Sequence, residues 1–264
     1  MKGLASVLGI ILFCGCAALA GPLELSIGGG PSAISLDAFN GVIESWNALI
    51  GYFNEFAAAH PDVSGSVPTL NLLTTSLVAH AAERYWILDW LALGARFEYE
   101  QSEATTSGTY VGAETSMVDI ALQYRTIALL AGTRILFLDA GLRLAGDLAL
   151  GYYHGSLDHS VVFEVPSEYT DAVSGLPPEG SDHHSGDTAG FEVGLALDVP
   201  FAAGGYLGAA VAYRSAVIGS LTNTAGEELD LDGDGTAEDA NLSGISVRFC
   251  FSINIDLSLD GEKE

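Results

Sequence analysis

The densest run of ligand-type side chains is Asp230-Leu231-Asp232-Gly233-Asp234-Gly235. Three carboxylates at alternate positions, closed by a glycine that lets the backbone turn sharply, suit a hard divalent cation that takes oxygen ligands. Thr236 would add a backbone carbonyl, and Glu238 or Asp239 a further carboxylate. The candidate ligands are therefore Asp230, Asp232, Asp234, Thr236, Glu238 and Asp239, and the candidate ion is Ca²⁺; a solvated acidic loop is the plainer reading. His154, His159, His183 and His184 gather in one segment with Asp158, Asp182 and Asp187, donor types that suit a transition metal, although ordinary loop histidines look the same. Ser76 precedes His80 by four residues and is the one nucleophile-and-base pairing within a candidate strand. No Gly-x-Ser-x-Gly elbow, phosphate loop or dinucleotide fingerprint occurs, so the chain reads as a non-enzyme, with a hydrolase as the minor alternative.

A second set of charged residues is spread along the chain at even spacing within apolar runs. Arg96, Glu98, Asp119, Arg125, Asp139, Arg143, Asp147, Glu192, Asp198, Arg214 and Arg248 alternate with apolar residues, and small Gly and Ala fill most positions between them. Five of the nine Lys and Arg residues fall in this set, and all five are Arg. A solvated surface would favour Lys. A narrow interior needs small residues for room and a planar, bidentate cation to pair with its carboxylates.

The elements that must hold these residues are strands. From Ile245 to Leu257, apolar Ile, Val, Phe and Leu alternate with Ser246, Arg248, Cys250, Ser252, Asn254 and Asp256, the period-two pattern of a sheet with two unlike faces. The same alternation recurs in Pro22–Gly30, Thr69–Tyr85, Leu91–Gln101, the segment from Val118 to a turn near Gly132-Thr133, Leu136–Tyr152, Phe191–Phe201 and Tyr206–Leu221. These are eight strands joined alternately by long polar loops and short turns. The spacing predicts an all-β fold: an eight-stranded antiparallel up-and-down transmembrane β-barrel. Its first and last strands pair, so that Arg248 faces carboxylates such as Glu24. One segment breaks the period. At 36–60, Phe39, Val42, Ile43, Trp46, Leu49, Ile50, Phe53 and Phe56 recur at helical spacing, with Ser35 or Asp37 as N-cap and Asn40, Asn47 and Asn54 on the polar face. This amphipathic helix lies between strands one and two, packed over the barrel mouth, plugging the lumen or lying on the membrane.

Composition agrees. The 264 residues carry a formal net charge of −25 with 32 Gly and only 16% charged residues. Mean hydropathy is +0.34, yet beyond residue 20 no long charge-free apolar run occurs. Hydrophobic on average without a spanning helix is the signature of a membrane barrel. The acidic balance excludes nucleic acid as a partner. Met1-Lys2, the apolar Leu4–Phe13 and Ala18-Leu19-Ala20 read as a signal peptide spanning 1–20. The alternative is lipidation at Cys16 after Phe13-Cys14-Gly15. After cleavage Cys250 alone remains, so no intramolecular disulfide forms. The barrel then covers 21–257, with an acidic loop at 223–240 and a polar tail at 258–264. Tyr85, Trp86 and Trp90 form an aromatic turn suited to a bilayer interface.

On these features the chain resembles the small eight-stranded outer-membrane barrel proteins of the OmpA, OmpX and OmpW kind, across residues 22–257. The resemblance implies an outer membrane of a diderm bacterium, with its lipid and the barrel-assembly machinery as partners. It also implies a structural or passive role, in membrane integrity or contact with a surface ligand. Alternatives are an OmpW-like conduit for small hydrophobic solutes, a lipid A-modifying rim enzyme, and a soluble lipocalin-like carrier with its apolar face inward. Two features depart from the class: the polar tail after the last strand and the helix in the first long loop. The acidic run also looks like the DxDGDG loops of calcium-binding repeats, although Asn241 stands where a twelfth-position Glu would close an EF-hand loop.

Overall fold

The computed structural model describes residues 21–164 and 179–256; residues 1–20, where a signal peptide is expected, 165–178 and 257–264 lie outside the described residues. In chain order the elements are β1 (Leu23–Ala33), α1 (Asp37–Ala59), β2 (Ser64–Ser66), β3 (Thr75–Leu88), β4 (Leu91–Val111), β5 (Thr115–Asp139), β6 (Arg143–Phe163), β7 (Gly180–Ala202), β8 (Gly205–Ser215), β9 (Val217–Ile218), β10 (Ala240–Asn241) and β11 (Gly244–Ile255). Eight of these form one closed antiparallel ring, β1–β3–β4–β5–β6–β7–β8–β11. β11 returns to β1 with Glu24 opposite Asn254 and Gly28 opposite Cys250. Closure leaves no sheet edge along the ring, which a barrel in lipid requires.

The strands differ in length, and this divides the barrel in two. β1, β3, β8 and β11 have 11, 14, 11 and 12 residues, whereas β4 to β7 have 21 to 25. All eight build the lower part. Only β4–β7 continue into the upper part, as a curved four-stranded wall. In the lower part the outward residues are large and apolar: Ile27 and Phe249 are each 62% exposed, and Leu150 is 69% exposed. On β5 the belt runs from Ile127 to Phe137. Eleven tilted strand residues cover about 24 Å, the height of a bilayer's apolar band. Such an exterior belongs in lipid and excludes a soluble lipocalin-like carrier.

Above the belt the polarity of the two faces reverses. β5 pairs with β4 without a break from Val111–Thr115 to Leu91–Ile135, so side-chain parity cannot change. Its inward residues are Val118, Ile120, Leu122 and Tyr124 above and Arg134 below, all buried, while Asp119 and Arg125 point outward with Ile127 and Leu129. This corrects the expectation that the apolar phase of this strand faces lipid. The upper outer face meets water, and the upper inner face meets α1.

α1 fills the upper interior. Phe39, Val42, Ile43, Trp46, Ile50 and Phe53 are buried in one core with Tyr110, Tyr124, Leu157, Val161 and Phe163 of the wall. Phe39 meets Tyr124 at 6.0 Å, and Phe53 meets Phe163 at 5.8 Å between ring centroids. The helix starts at Leu36 without a side-chain cap; Asp37 instead occupies the first turn, where the helix dipole favours an acid. Neither Ser35 nor Asp37 is the N-cap.

The polar face of α1 has a specific partner. Asn40, Asn47 and Asn54 each accept from a backbone N–H and donate to the carbonyl of the same residue, Leu73, Leu70 and Val67 in turn. Seven helical residues advance about 10.5 Å, and three extended residues cover about 9–10 Å, so the two repeats match. The segment 67–73 is thereby held as a strap along the helix, with Val67, Leu70 and Leu73 buried in the core.

The short turns also differ from expectation. β5 passes straight through Gly132-Thr133, and the hairpin lies at Ala140–Leu142, where Gly141 has φ +79°. A left-handed residue there suits glycine. Sequence alternation continues through this turn and conceals it.

Asn47→Ala leaves the Leu70 N–H and C=O without partners, which costs about 1–3 kcal/mol per unmade buried group. The expected outcome is faster hydrogen exchange at Leu70 with the lower barrel unchanged. Exchange mass spectrometry resolved to 67–73 measures it.

Candidate functional site

The lower lumen is a column of ion pairs. Nearest the short turns, Arg134 binds Asp147 through two bonds of 2.8 Å, Asp198 at 3.1 Å and Glu24 at 3.4 Å. Arg84 adds a bond of 2.8 Å to Glu24, and Trp86 Nε1 donates to the other oxygen of Glu24 at 3.3 Å. The next tier is a ring of four: Arg96 bridges Glu98 at 2.7 Å and Glu192 at 2.5 Å, while Arg248 meets Glu98 at 3.1 Å and Glu192 through both guanidinium nitrogens. At the top, Arg214 meets Glu100 at 2.6 Å and donates to Leu242 O at 2.8 Å, and Ser76 Oγ donates to Glu100. Carboxylates and guanidinium groups this deep persist only when paired. Small residues make the room: a Cβ at Gly208 would run into Asp198 and Cys250.

Of the charges expected in the lumen, Glu24, Arg96, Glu98, Asp147, Glu192, Asp198, Arg214 and Arg248 lie in this column. Arg143 sits at its lower mouth, 4.0 Å over the Tyr206 ring and 3.4 Å from Asp139. Three placements are corrected. Asp119 and Arg125 are on the outer face above the belt, where Arg125 pairs with Asp158 at 3.0 Å. Asp139 is exposed at the hairpin. The expected Arg248–Glu24 contact does not form either. Glu24 is level with Asn254, six residues along β11 from Arg248, which is about 20 Å of strand. Among the aromatics, Trp86 is a lumen residue. Tyr85 is buried and laddered with Leu23 and Leu93, and Trp90 alone is exposed, at the turn.

Three members of the column escape the sequence reading. Arg134 fell in the misplaced turn, and Arg84 in Thr69–Tyr85, where Leu70, Leu72 and Val78 compete with Leu73, Leu77 and Ala79 to set the phase. Glu100 continues the Arg96, Glu98 alternation by one step, and that step is the signal for it. Ser76 and His80 both point inward, but the Ser76 hydroxyl is committed to Glu100 and to Ser32 O at 3.3 Å.

Two groups of ligand-type residues lie at the upper end. In the acidic loop, carboxylate oxygens of Asp230, Asp232 and Glu238 lie within 4.8 Å of one another. The Asp234 and Asp239 carboxylates are not gathered with them. Asp230 accepts from the N–H groups of Gly233, Asp234 and Gly235 at 2.7, 3.1 and 2.9 Å. Gly233 and Gly235 take φ of +73° and +86° to allow this wrap. Glu238 is buried and accepts twice from the Leu231 N–H; burial, with Asp232 and Asp230 nearby, pushes its carboxyl up to about 7.

The histidines separate into two sets. On the outer face, His154 pairs with Asp187 and His183 with Asp158, both at 2.7 Å. On the inner face, His159 and His184 stack with centroids 5.5 Å apart. Burial lowers the pKa of both.

No protein-family model matches the chain, and no curated protein matches it. Among solved structures it is similar to Ail, the attachment invasion locus protein of Yersinia pestis, solved with the heparin analogue sucrose octasulfate (13% identity, TM-score 0.41, 89% of this chain and 97% of that one). It is also similar to the outer membrane protein OprG from Pseudomonas aeruginosa (13%, 0.35, 89% and 96%). A third is a major outer membrane protein from Thermus thermophilus (9%, 0.46, 89% and 100%). These are likenesses of shape, and the chain's own residues carry the functional reading.

Arg134→Ala strands Asp147 and Asp198, leaves Glu24 to Arg84 and Trp86, and is expected to destabilise the barrel by about 3–5 kcal/mol. Arg125→Ala breaks a half-exposed pair and is expected to cost less than about 1 kcal/mol. Urea unfolding in lipid vesicles, followed by heat-shifted gel mobility, checks the order.

Proposed function

We propose that the chain is an integral outer-membrane barrel with a closed lumen, whose role is membrane integrity or contact with a surface ligand at its upper end. One observation carries this reading: ion-pair tiers cross the interior below and α1 occupies it above, with a small cavity among Arg84, Arg96, Arg134 and Asp147. Eight strands enclose a space that side chains can fill. The apolar belt supports placement in lipid. The short turns at one end, and the helix and acidic loop at the other, support periplasmic and external ends respectively. Outer-membrane lipid and the barrel-assembly machinery are the partners this implies. A conduit for small hydrophobic solutes would need α1 to leave a chamber in which Phe39, Ile43 and Ile50 are fully buried. In planar bilayers the expected result is a silent wild type. Steady wild-type conductance would overturn the closed-lumen reading.

The acidic loop supports a second reading, Ca²⁺ binding through Asp230, Asp232 and Glu238, because three carboxylates on a glycine-hinged loop offer the hard oxygen donors calcium takes. Calorimetry on the folded barrel should give saturable heat with Ca²⁺ that Asp230→Asn with Asp232→Asn removes. Absence of heat from the wild type would refute it.

A further inference from the structure

We propose that His159 and His184 form the core of a transition-metal site on the inner face of the upper wall, with Asp182 and Glu227 at its rim. It is separate from the acidic loop. The register of β6 and β7 creates it. Leu157 is opposite His184 and His159 opposite Asp182, so the histidines are diagonal neighbours on one face. Diagonal neighbours on adjacent strands are about 7–8 Å apart and within reach of one another's rings. Their rings have closed to 5.5 Å between centroids. With metal–nitrogen bonds of about 2.1 Å, two imidazoles on one ion place their centroids at most about 6.4 Å apart; the observed pair is inside that limit.

A second observation points to a ligand. His184 is 95% buried, its residual exposure being 5%, and among the described residues its Nδ1 has no hydrogen-bond partner; neither does the buried Nδ1 of His159. A buried polar atom without a partner is a cost that folded proteins rarely carry. The outer-face histidines differ, since His154 and His183 each engage a carboxylate through Nδ1. Negative charge is at hand. Asn223 Nδ2 donates to Asp182 Oδ2 at 2.7 Å and to Glu227 Oε2 at 2.8 Å; both carboxylates act electrostatically on His184, although among the described residues neither is close enough to complete a three-ligand cluster with the two rings. Two imidazoles with flanking carboxylates suit zinc, nickel or copper, whereas calcium prefers all-oxygen donors. The loop supplying Asn223 and Glu227 is held to β7 by paired backbone bonds between Ser185 and Thr222, both 2.9 Å. A bound ion would therefore tie the acidic loop segment to the barrel wall.

The test is calorimetric titration of the detergent-folded barrel with Zn²⁺ in excess Ca²⁺, which keeps the acidic loop occupied. One saturable Zn²⁺ site is expected. His159→Gln and His184→Gln should each weaken it at least tenfold, and His154→Gln and His183→Gln should leave it within twofold. Co²⁺ should give visible absorption bands of histidine ligation that the inner variants lose. Heat-shift gels report whether each variant is folded. No saturable Zn²⁺ binding by the wild type would overturn the proposal, as would loss of binding only in the outer-face variants.

Discussion

A β-strand cannot turn its side chains over without a break in its ladder, and the rest of this molecule follows from that constraint. β4 to β7 run unbroken from lipid into water, so each inner face is a polar lumen below and a core wall above. The chemistry of both faces must then exchange where the surroundings exchange. On β5 it does so between Arg125 and Ile127 on the outer face, and between Tyr124 and Arg134 on the inner one. The two halves are thus opposite solutions to the same packing problem: apolar outside with ion pairs inside, then polar outside with a helix inside.

Each interior needs its own filling. In the lower half, the charges of five Arg and six carboxylates nearly cancel around Gly and Ala positions. No single pair is decisive, because Arg134 and Glu192 each hold more than one partner. Removing one group therefore leaves others uncompensated in a low-dielectric space. In the upper half the short strands end, and α1 with its strap closes the open side of the four-stranded wall. The asparagine ladder lets an exposed-looking polar helix face become a structural seam, because seven helical residues and three extended ones have nearly the same length.

The outer end gathers what the membrane half has no room for. The acidic loop, the histidine pair and the rim carboxylates all lie beyond the belt, on or against β7 and the segment that follows β8. Asp230, Asp232 and Asp182 there stay in reach of water, whereas the lumenal carboxylates are taken up by pairing with Arg. This separation leaves the paired charges inside the membrane half and the ligand-type side chains above it.

The sequence by itself determined the alternation, the eight strands, the closure of the first on the last, the helix and most of the lumen charges. Those features are local: period two, period 3.6, and charge placed among Gly and Ala. It misplaced Asp119, Arg125 and Asp139 and missed Arg84, Arg134 and Glu100. It did so because alternation gives the parity of a strand but not which environment each stretch of it crosses. The hairpin at Gly141 was hidden for a related reason, since its parity continues through the turn. Only the tertiary structure decided that Arg248 meets Glu192 and Glu98 rather than Glu24, that Trp86 faces the lumen, and that His159 stacks on His184. Partners across a barrel are set by register and tilt, and these emerge only when the sheet closes.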